Sequence, residues 1–302
     1  MISKRLRVSK DNALVEASYR LSLTEMQIIL YGIGLINPLG KEFPLSYRID
    51  IARFSQIFDK EHGQIYEEIK NVILKRFWER DFSYIDDKGK VVILRWLTKI
   101  VYEDQSGYIE IKFSEEIQPY LHQLKENFTA YYIDHIAKFK SVYSVRLYET
   151  SLMHLNKNKI VTGSFVINID ELKSKLDLHD RYDRFSNFKK RVLEPAKKEI
   201  NKFSDLSFNY RIMKERRKPS HIEFIVHKKQ PNLNKQIVKL PTTKVSTVAL
   251  EKAKDIVIKY GSSFDLYTIE NQFYEYMNRA GLPRNIDNAF IGFVKKKVSI
   301  SP

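Results

Sequence analysis

The 302-residue chain contains no cysteine. Disulfides, thiolate catalysis and cysteine-based zinc sites are therefore excluded. It also lacks any uninterrupted apolar run approaching the roughly 18 residues that would mark a membrane span. Its basic start, MISKRLRVSK, is not followed by the apolar core of a secretory signal. These absences lead us to expect a soluble, intracellular, cytoplasmic protein. The seven histidines, His62, His122, His135, His154, His179, His221 and His227, include no close pair of the kind a helical metalloprotease needs. A His-apolar-His triplet, used by metal-dependent DNA-nicking initiators, is absent too. The stretch around Gly34, Gly40 and Lys41 imitates a phosphate loop, but its spacing is one residue too long and Glu42 stands where Ser or Thr is required. Tyr31, Tyr131, Tyr132 and Tyr182 carry no mark of a nucleophile, and Asp86-Asp87 reads as a turn former. No active site, metal site or cofactor is expected.

What the chain does have is positive charge. Its formal net charge is +15 and its pI about 9.6, a balance that favours a polyanionic partner. The excess is localised. Residues 1–120 hold 18 Lys+Arg against 18 Asp+Glu, whereas residues 181–230 hold 15 against 6, a net +9. Charge concentrated in one stretch resembles a binding footprint more than a solubility coat.

Order of elements repeats along the chain. Ser22 and Glu25 stand at capping-box spacing before a helical run ended by Asn37-Pro38. A short strand and short helix follow, then a longer helix with Ile65, Ile69, Val72, Ile73 and Phe77 on one stripe. DFSYIDDKGKVVILRW reads as strand, turn, strand, and GYIEIKFS as a further strand. The same order returns 118 residues on, where Ile49-Asp50-Ile51 is matched by Ile167-Asn168-Ile169. Three helices closed by a hairpin make a winged-helix module. The expected fold is α+β: two tandem winged-helix domains related by a pseudo-repeat, residues 1–120 and 121–230, joined by a connecting helix and strand. A linker with Pro231 and Pro241 then leads to a helical extension over 231–302.

The second module's long helix, SNFKKRVLEPAKKEINKFSD, is amphipathic. Phe185, Phe188, Val192, Leu193, Ala196, Ile200 and Phe203 form an apolar stripe. Asn187, Lys190, Arg191, Glu194, Lys198 and Asn201 face the other way, with Arg184 at the edge. Arg and Lys can donate to guanine, Asn can pair with adenine and Glu can accept from cytosine, so this mixture suits reading the major groove. The following hairpin has the tip KERRKPS, where Lys214, Arg216, Arg217 and Lys218 are opposed only by Glu215. Cations there would hold the flanking phosphates while the helix discriminates sequence. Pro195 interrupts the helix. It could break the helix in two or kink it, and the unbroken phase from Val192 to Ala196, Ile200 and Phe203 favours the kink. The first module is the poorer DNA reader and the better candidate for protein contact. Its long helix exposes Glu67, Asn71 and Lys75, its hairpin tip DDKG is nearly neutral, and Trp78 is expected to pack at the edge of the core.

The chain resembles the iteron-type plasmid replication initiators, the initiator replication protein family, in NALVEASYRLSLTEMQIILYGI, FTAYYIDHIAKFKSVYSVRLYE, RYDRFSNFKKRVLEPAKKEIN and YRIMKERRKPSHIEF. The likeness covers roughly residues 8–228, and the tail lies outside it. The resemblance implies two winged-helix domains in a bacterial, plasmid-encoded protein. Its monomers would bind directly repeated double-stranded DNA sites, the iterons, promote opening of the origin and recruit the host initiator ATPase and the replicative helicase. Dimers would bind an inverted repeat and repress the protein's own gene. By position in the motif, Lys189, Lys190 and Arg191 match the family's basic cluster. The second domain would supply the main base contacts, and the first would supply dimerisation and auxiliary DNA contacts. A transcriptional repressor of the same architecture is the alternative, and a nickase is disfavoured by the missing histidine triplet.

Overall fold

The computed structural model describes residues 5–37, 40–69, 77–85, 88–103, 106–229, 245–259, 269–270, 272–274, 276–277, 283 and 285–299. They divide into two compact units, Met1–Gln230 and Pro231–Pro302.

In the first unit the chain opens with β1 (Arg7–Asp11) and α1 (Asn12–Glu16), followed by α2 (Leu23–Leu35). Ser22 starts α2 as its spacing to Glu25 predicts. The Glu25 amide donates to the Ser22 hydroxyl at 3.3 Å, and the Ser22 amide donates to the Glu25 carboxylate at 2.6 Å. Glu25 is buried, and Arg80 Nε lies 2.9 Å from its other oxygen. Then come β2 (Ser46–Asp50), α3 (Ile51–Phe58) and α4 (His62–Glu68). Ile65, Ile69 and Phe77 are buried, as the stripe requires. Asn71, Val72, Ile73, Lys75 and the side chain of Trp78 lie outside the described residues. Four strands complete the module: β3 (Asp81–Ile85), β4 (Val91–Arg95), β5 (Leu97–Tyr102) and β6 (Tyr108–Phe113). Gly32 lets α2 lie on this sheet, since a Cβ there would come within 2.6 Å of Ile111 Cδ1.

A 3₁₀ turn (Glu115–Tyr120) and β7 (Phe128–Tyr132) lead to the second module. This consists of α5 (Val142–Lys157), β8 (Thr162–Asn168), α6 (Ile169–Lys175), the long helix over residues 185–203, β9 (Leu206–Glu215) and β10 (Lys218–Lys228). Asp50 and Asn168, matched by the pseudo-repeat, do the same work. Each ends a strand and caps the next helix, with Asp50 Oδ1 accepting from the Arg53 amide at 2.7 Å and Asn168 Oδ1 from the Asp170 amide at 2.8 Å.

The two sheets share one topology, β2-β6-β5 in the first module and β8-β10-β9 in the second. This corrects the assignment of the first wing. The hairpin equivalent to β9–β10 is β5–β6, whose connection reads Glu103-Asp104-Gln105-Ser106-Gly107. The β3–β4 hairpin carrying DDKG is an additional two-stranded sheet inserted before it. No Gly or Pro marks the break between β4 and β5. Buried Trp96 makes it, accepting from the Ser114 amide at 3.2 Å while its ring packs on Tyr19 and Phe82.

The modules are joined by more than a connector. β7 pairs antiparallel with β1, returning the chain to its start. Behind that pair, buried Lys10 and Glu149 form an ion pair at 2.7 Å, and Tyr131 Oη donates to the same Glu149 oxygen at 2.5 Å. A buried charge must be matched in this way to be tolerated. Burial, and then the Glu149 charge, push the Tyr131 phenol well above its ordinary pKa, so it stays a donor. Arg146 of α5 donates to the carbonyls of Ala17 (2.6 Å) and Lys175 (3.1 Å), one from each module.

The second unit has a separate core around Ala253, Phe273, Phe290 and Val294, with helices α9 (Thr247–Lys259) and α10 (Ile286–Ser299). Residues 231–244, the expected linker, lie outside the described residues.

Candidate nucleic-acid interface

The long helix of the second module sorts its residues as its periodicity predicts. Phe188, Val192, Leu193, Ala196 and Ile200 are fully buried. Arg184, Asn187, Lys189, Lys190, Arg191, Glu194 and Lys198 are exposed. The apolar stripe anchors the helix to the core, so the polar face is fixed relative to the hairpin behind it.

Pro195 does not break this helix. Segment α7 (Phe185–Phe188) passes into a π-helical turn (Lys189–Leu193) and then into α8 (Glu194–Phe203) without interruption. The Glu194 amide donates to the carbonyl of Lys189, five residues back. In a regular helix Pro195 would leave the Arg191 carbonyl without its donor and press its ring against it. One widened turn just before the proline relieves that crowding. The turn consists of the basic cluster itself: Lys189, Lys190 and Arg191 are exposed in succession, while Val192 and Leu193 are both buried.

Glu194 is less available than its place on the polar face suggests. Tyr210 Oη, from β9, donates to Glu194 Oε1 at 2.6 Å, and Lys189 Nζ lies 3.8 Å from the same oxygen. Burial, and then the bond to Glu194, push the Tyr210 phenol up, which keeps it protonated as the donor. Asn201 is spent on structure. Its amide donates to the carbonyls of Lys197 and Phe208, both at 2.7 Å, and its oxygen accepts from the Phe208 amide at 3.0 Å. Two side chains therefore tie the helix to the first strand of the hairpin. Neither tie is visible in the periodicity, since both partners are distant along the chain and the hairpin reads only as alternation.

Strands β9 and β10 close through a two-residue turn. Glu215 pairs with Lys218, and both residues between them adopt left-handed backbone, Arg216 at φ 47° and Arg217 at φ 70°. That is the type I′ hairpin geometry, which usually recruits Asn and Gly because other residues are strained there. Two arginines occupy it here. Lys214, Arg216, Arg217 and Lys218 are all exposed, which places four cations at one protruding tip.

The first module presents a different surface. Its wing connection begins with Glu103 and Asp104. The inserted hairpin exposes aliphatic side chains, Ile85 at 72%, Val91 at 69% and Ile93 at 64%. Ile85 pairs with Val91 and Ser83 with Ile93, so the three lie on one face.

Comparison with known proteins adds independent findings. Residues 7–152 match the family model described as Initiator Replication protein, WH1, and residues 168–226 match Initiator Rep protein, WH2. A replication initiation protein of Escherichia coli is 30% identical over 210 residues, covering 67% of this chain and 64% of that protein, so the match spans somewhat less than two thirds of the relative. The PI protein of Escherichia coli is 32% identical over 146 residues, 44% of this chain and 47% of that protein. Among solved structures, the Pi initiator protein in complex with iteron DNA superposes with a TM-score of 0.64 at 21% identity, covering 76% of this chain and 100% of that one. This likeness establishes the fold.

Proposed function

The chain belongs to the initiator replication protein family, and from that premise we propose that it is a plasmid replication initiator. It binds directly repeated double-stranded DNA sites at an origin, and the second module does most of the reading. The observation that carries this is the arrangement of Lys189, Lys190 and Arg191 on one exposed turn, with the Arg216–Arg217 tip held to the same helix through Tyr210 and Asn201. The turn supplies base contacts and the tip supplies phosphate contacts. The protein acts by binding, not catalysis. It prepares the origin for opening and for delivery of the host initiator ATPase and replicative helicase.

A second reading concerns the first module. With an acidic wing connection it is poorly suited to hold phosphates, and its inserted hairpin offers Ile85, Val91 and Ile93 to a like surface. We infer that this hairpin mediates self-association, giving a dimer that can occupy an inverted repeat and repress the protein's own gene.

Footprinting of the purified chain on the DNA flanking its gene tests the proposal. Protection of tandem direct repeats about 20 bp apart, two helical turns, supports an initiator. Protection of a lone inverted repeat at the promoter supports a dedicated repressor, and uniform protection of all duplexes contradicts sequence-specific binding.

A further inference from the structure

A cleft of about 470 Å³ lies where the β1–β7 sheet meets the C-terminal end of α5 and the base of β10. Phe128, Ile160 and the exposed Val161 give it apolar surface, and Arg7, Lys159 and Lys228 supply three cations. Among the described residues no carboxylate lines it. Among the described residues, Lys228 Nζ donates to a neutral partner, the Asn156 side-chain oxygen at 2.9 Å. Lys159 is held in left-handed backbone at φ 53° just beyond the end of α5, where a lysine complements the helix dipole. That explanation does not extend to Arg7 or Lys228, which come from two different strands.

We propose that this cleft binds an acidic peptide segment of a partner protein, one that inserts an apolar side chain between the three cations. Three cations set beside exposed apolar surface favour an occupant that is anionic and also carries an apolar side chain. A phosphodiester backbone has no use for Phe128, Ile160 or Val161, and a cavity of this size admits a few residues but not a duplex. Position points the same way. Lys228 and the wing-tip Lys218 are the two ends of β10, about 30 Å apart at the rise of an extended strand. The cleft can therefore be filled while the tip holds DNA. Its lining comes from both modules, so an occupant touches both at once.

Panning a phage-displayed library of random peptides on the full chain tests the proposal. The recovered peptides are then measured by fluorescence polarisation against the wild type, Arg7→Glu/Lys159→Glu and Arg216→Ala/Arg217→Ala. Enrichment of acidic residues around an apolar one is expected. The cleft variant should lose at least about tenfold in peptide affinity, while the wing variant loses none. Thermal melts establish that each variant is folded, and Lys159→Ala, which only shortens one exposed side chain, gives a smaller loss in the same direction. Peptides without acidic enrichment, or peptides that bind the cleft variant as well as the wild type, overturn the proposal. So does a loss of random-duplex affinity in the cleft variant as large as its loss of peptide affinity, which would make the cleft a DNA contact.

Discussion

Tyr210 Oη donates to Glu194 Oε1 at 2.6 Å, joining the first strand of the wing to the helix that carries the basic turn. The bond fixes the basic turn and the wing tip relative to one another. Glu194 follows the basic turn directly in sequence, and Tyr210 lies four residues before Lys214 at the tip. Movement of either element would break the bond.

Tyr210→Phe removes that donor and nothing else. We expect about 1 kcal/mol less stability, the usual net worth of such a bond, read as a lower denaturation midpoint. Affinity for cognate and random duplexes should fall by similar factors, because the wing loses its fixed place beside the helix. Unchanged affinity on both would mean that the bond does not position the wing.

The wing turn sets stability against function. Left-handed backbone costs a residue with a side chain on the order of 1 kcal/mol or more, and Arg216 and Arg217 both adopt it. Replacing them by Asn and Gly, the residues this turn prefers, should raise the melting temperature and weaken binding to every duplex. It should also reduce the salt dependence by about two phosphate contacts. A lower melting temperature would contradict the turn geometry.

Pro195→Ala restores the missing amide donor and lets the π turn close into regular helix. Stability should rise by less than the roughly 3 kcal/mol that separates Ala from Pro in a helix interior, because the wide turn already relieves part of that cost. The basic cluster would shift by about one residue, some 100° around the axis. The variant should therefore keep its affinity for random DNA and lose preference for its site, as binding selections on randomised duplexes would report. Retained preference would mean that the π turn is not needed to aim Lys189, Lys190 and Arg191.

Val91→Lys/Ile93→Lys places two charges on the exposed face of the inserted hairpin. Sedimentation should show a monomer at concentrations where the wild type self-associates, with an unchanged melting temperature, since neither residue is buried. A dimer unaffected by both charges would place the interface elsewhere.

The sequence reveals those features that depend on local spacing. Phe188, Val192, Ala196 and Ile200 repeat at helical intervals and are buried together. Ser22 and Glu25 stand three apart and cap one another. Asp50 and Asn168 differ in identity but share a capping role, which explains a repeat clear in order and weak in residues. What stays hidden depends on tertiary contact or on hydrogen-bond register. The run from Val91 to Tyr102 has no turn-forming residue, so the change of sheet at Trp96 leaves no mark, and the wrong hairpin is taken for the first wing. The π turn has no composition of its own. Proline announces a disturbance there without saying which kind. The periodicity shows Glu194 and Asn201 as polar residues of one face, not that Tyr210 and Phe208 engage them.

The central claim is a division of labour: the turn at Lys190 and Arg191 reads bases, and the tip at Arg216 and Arg217 holds phosphates. The most direct test measures affinity against salt, on the cognate repeat and on random duplex, for Arg191→Ala and Arg216→Ala side by side. Arg191→Ala should cost about 1–3 kcal/mol on the cognate site and far less on random DNA. Arg216→Ala should weaken both duplexes equally and lower the salt slope by roughly one contact. Equal losses on both duplexes for Arg191→Ala, or an unchanged salt slope for Arg216→Ala, would contradict the account.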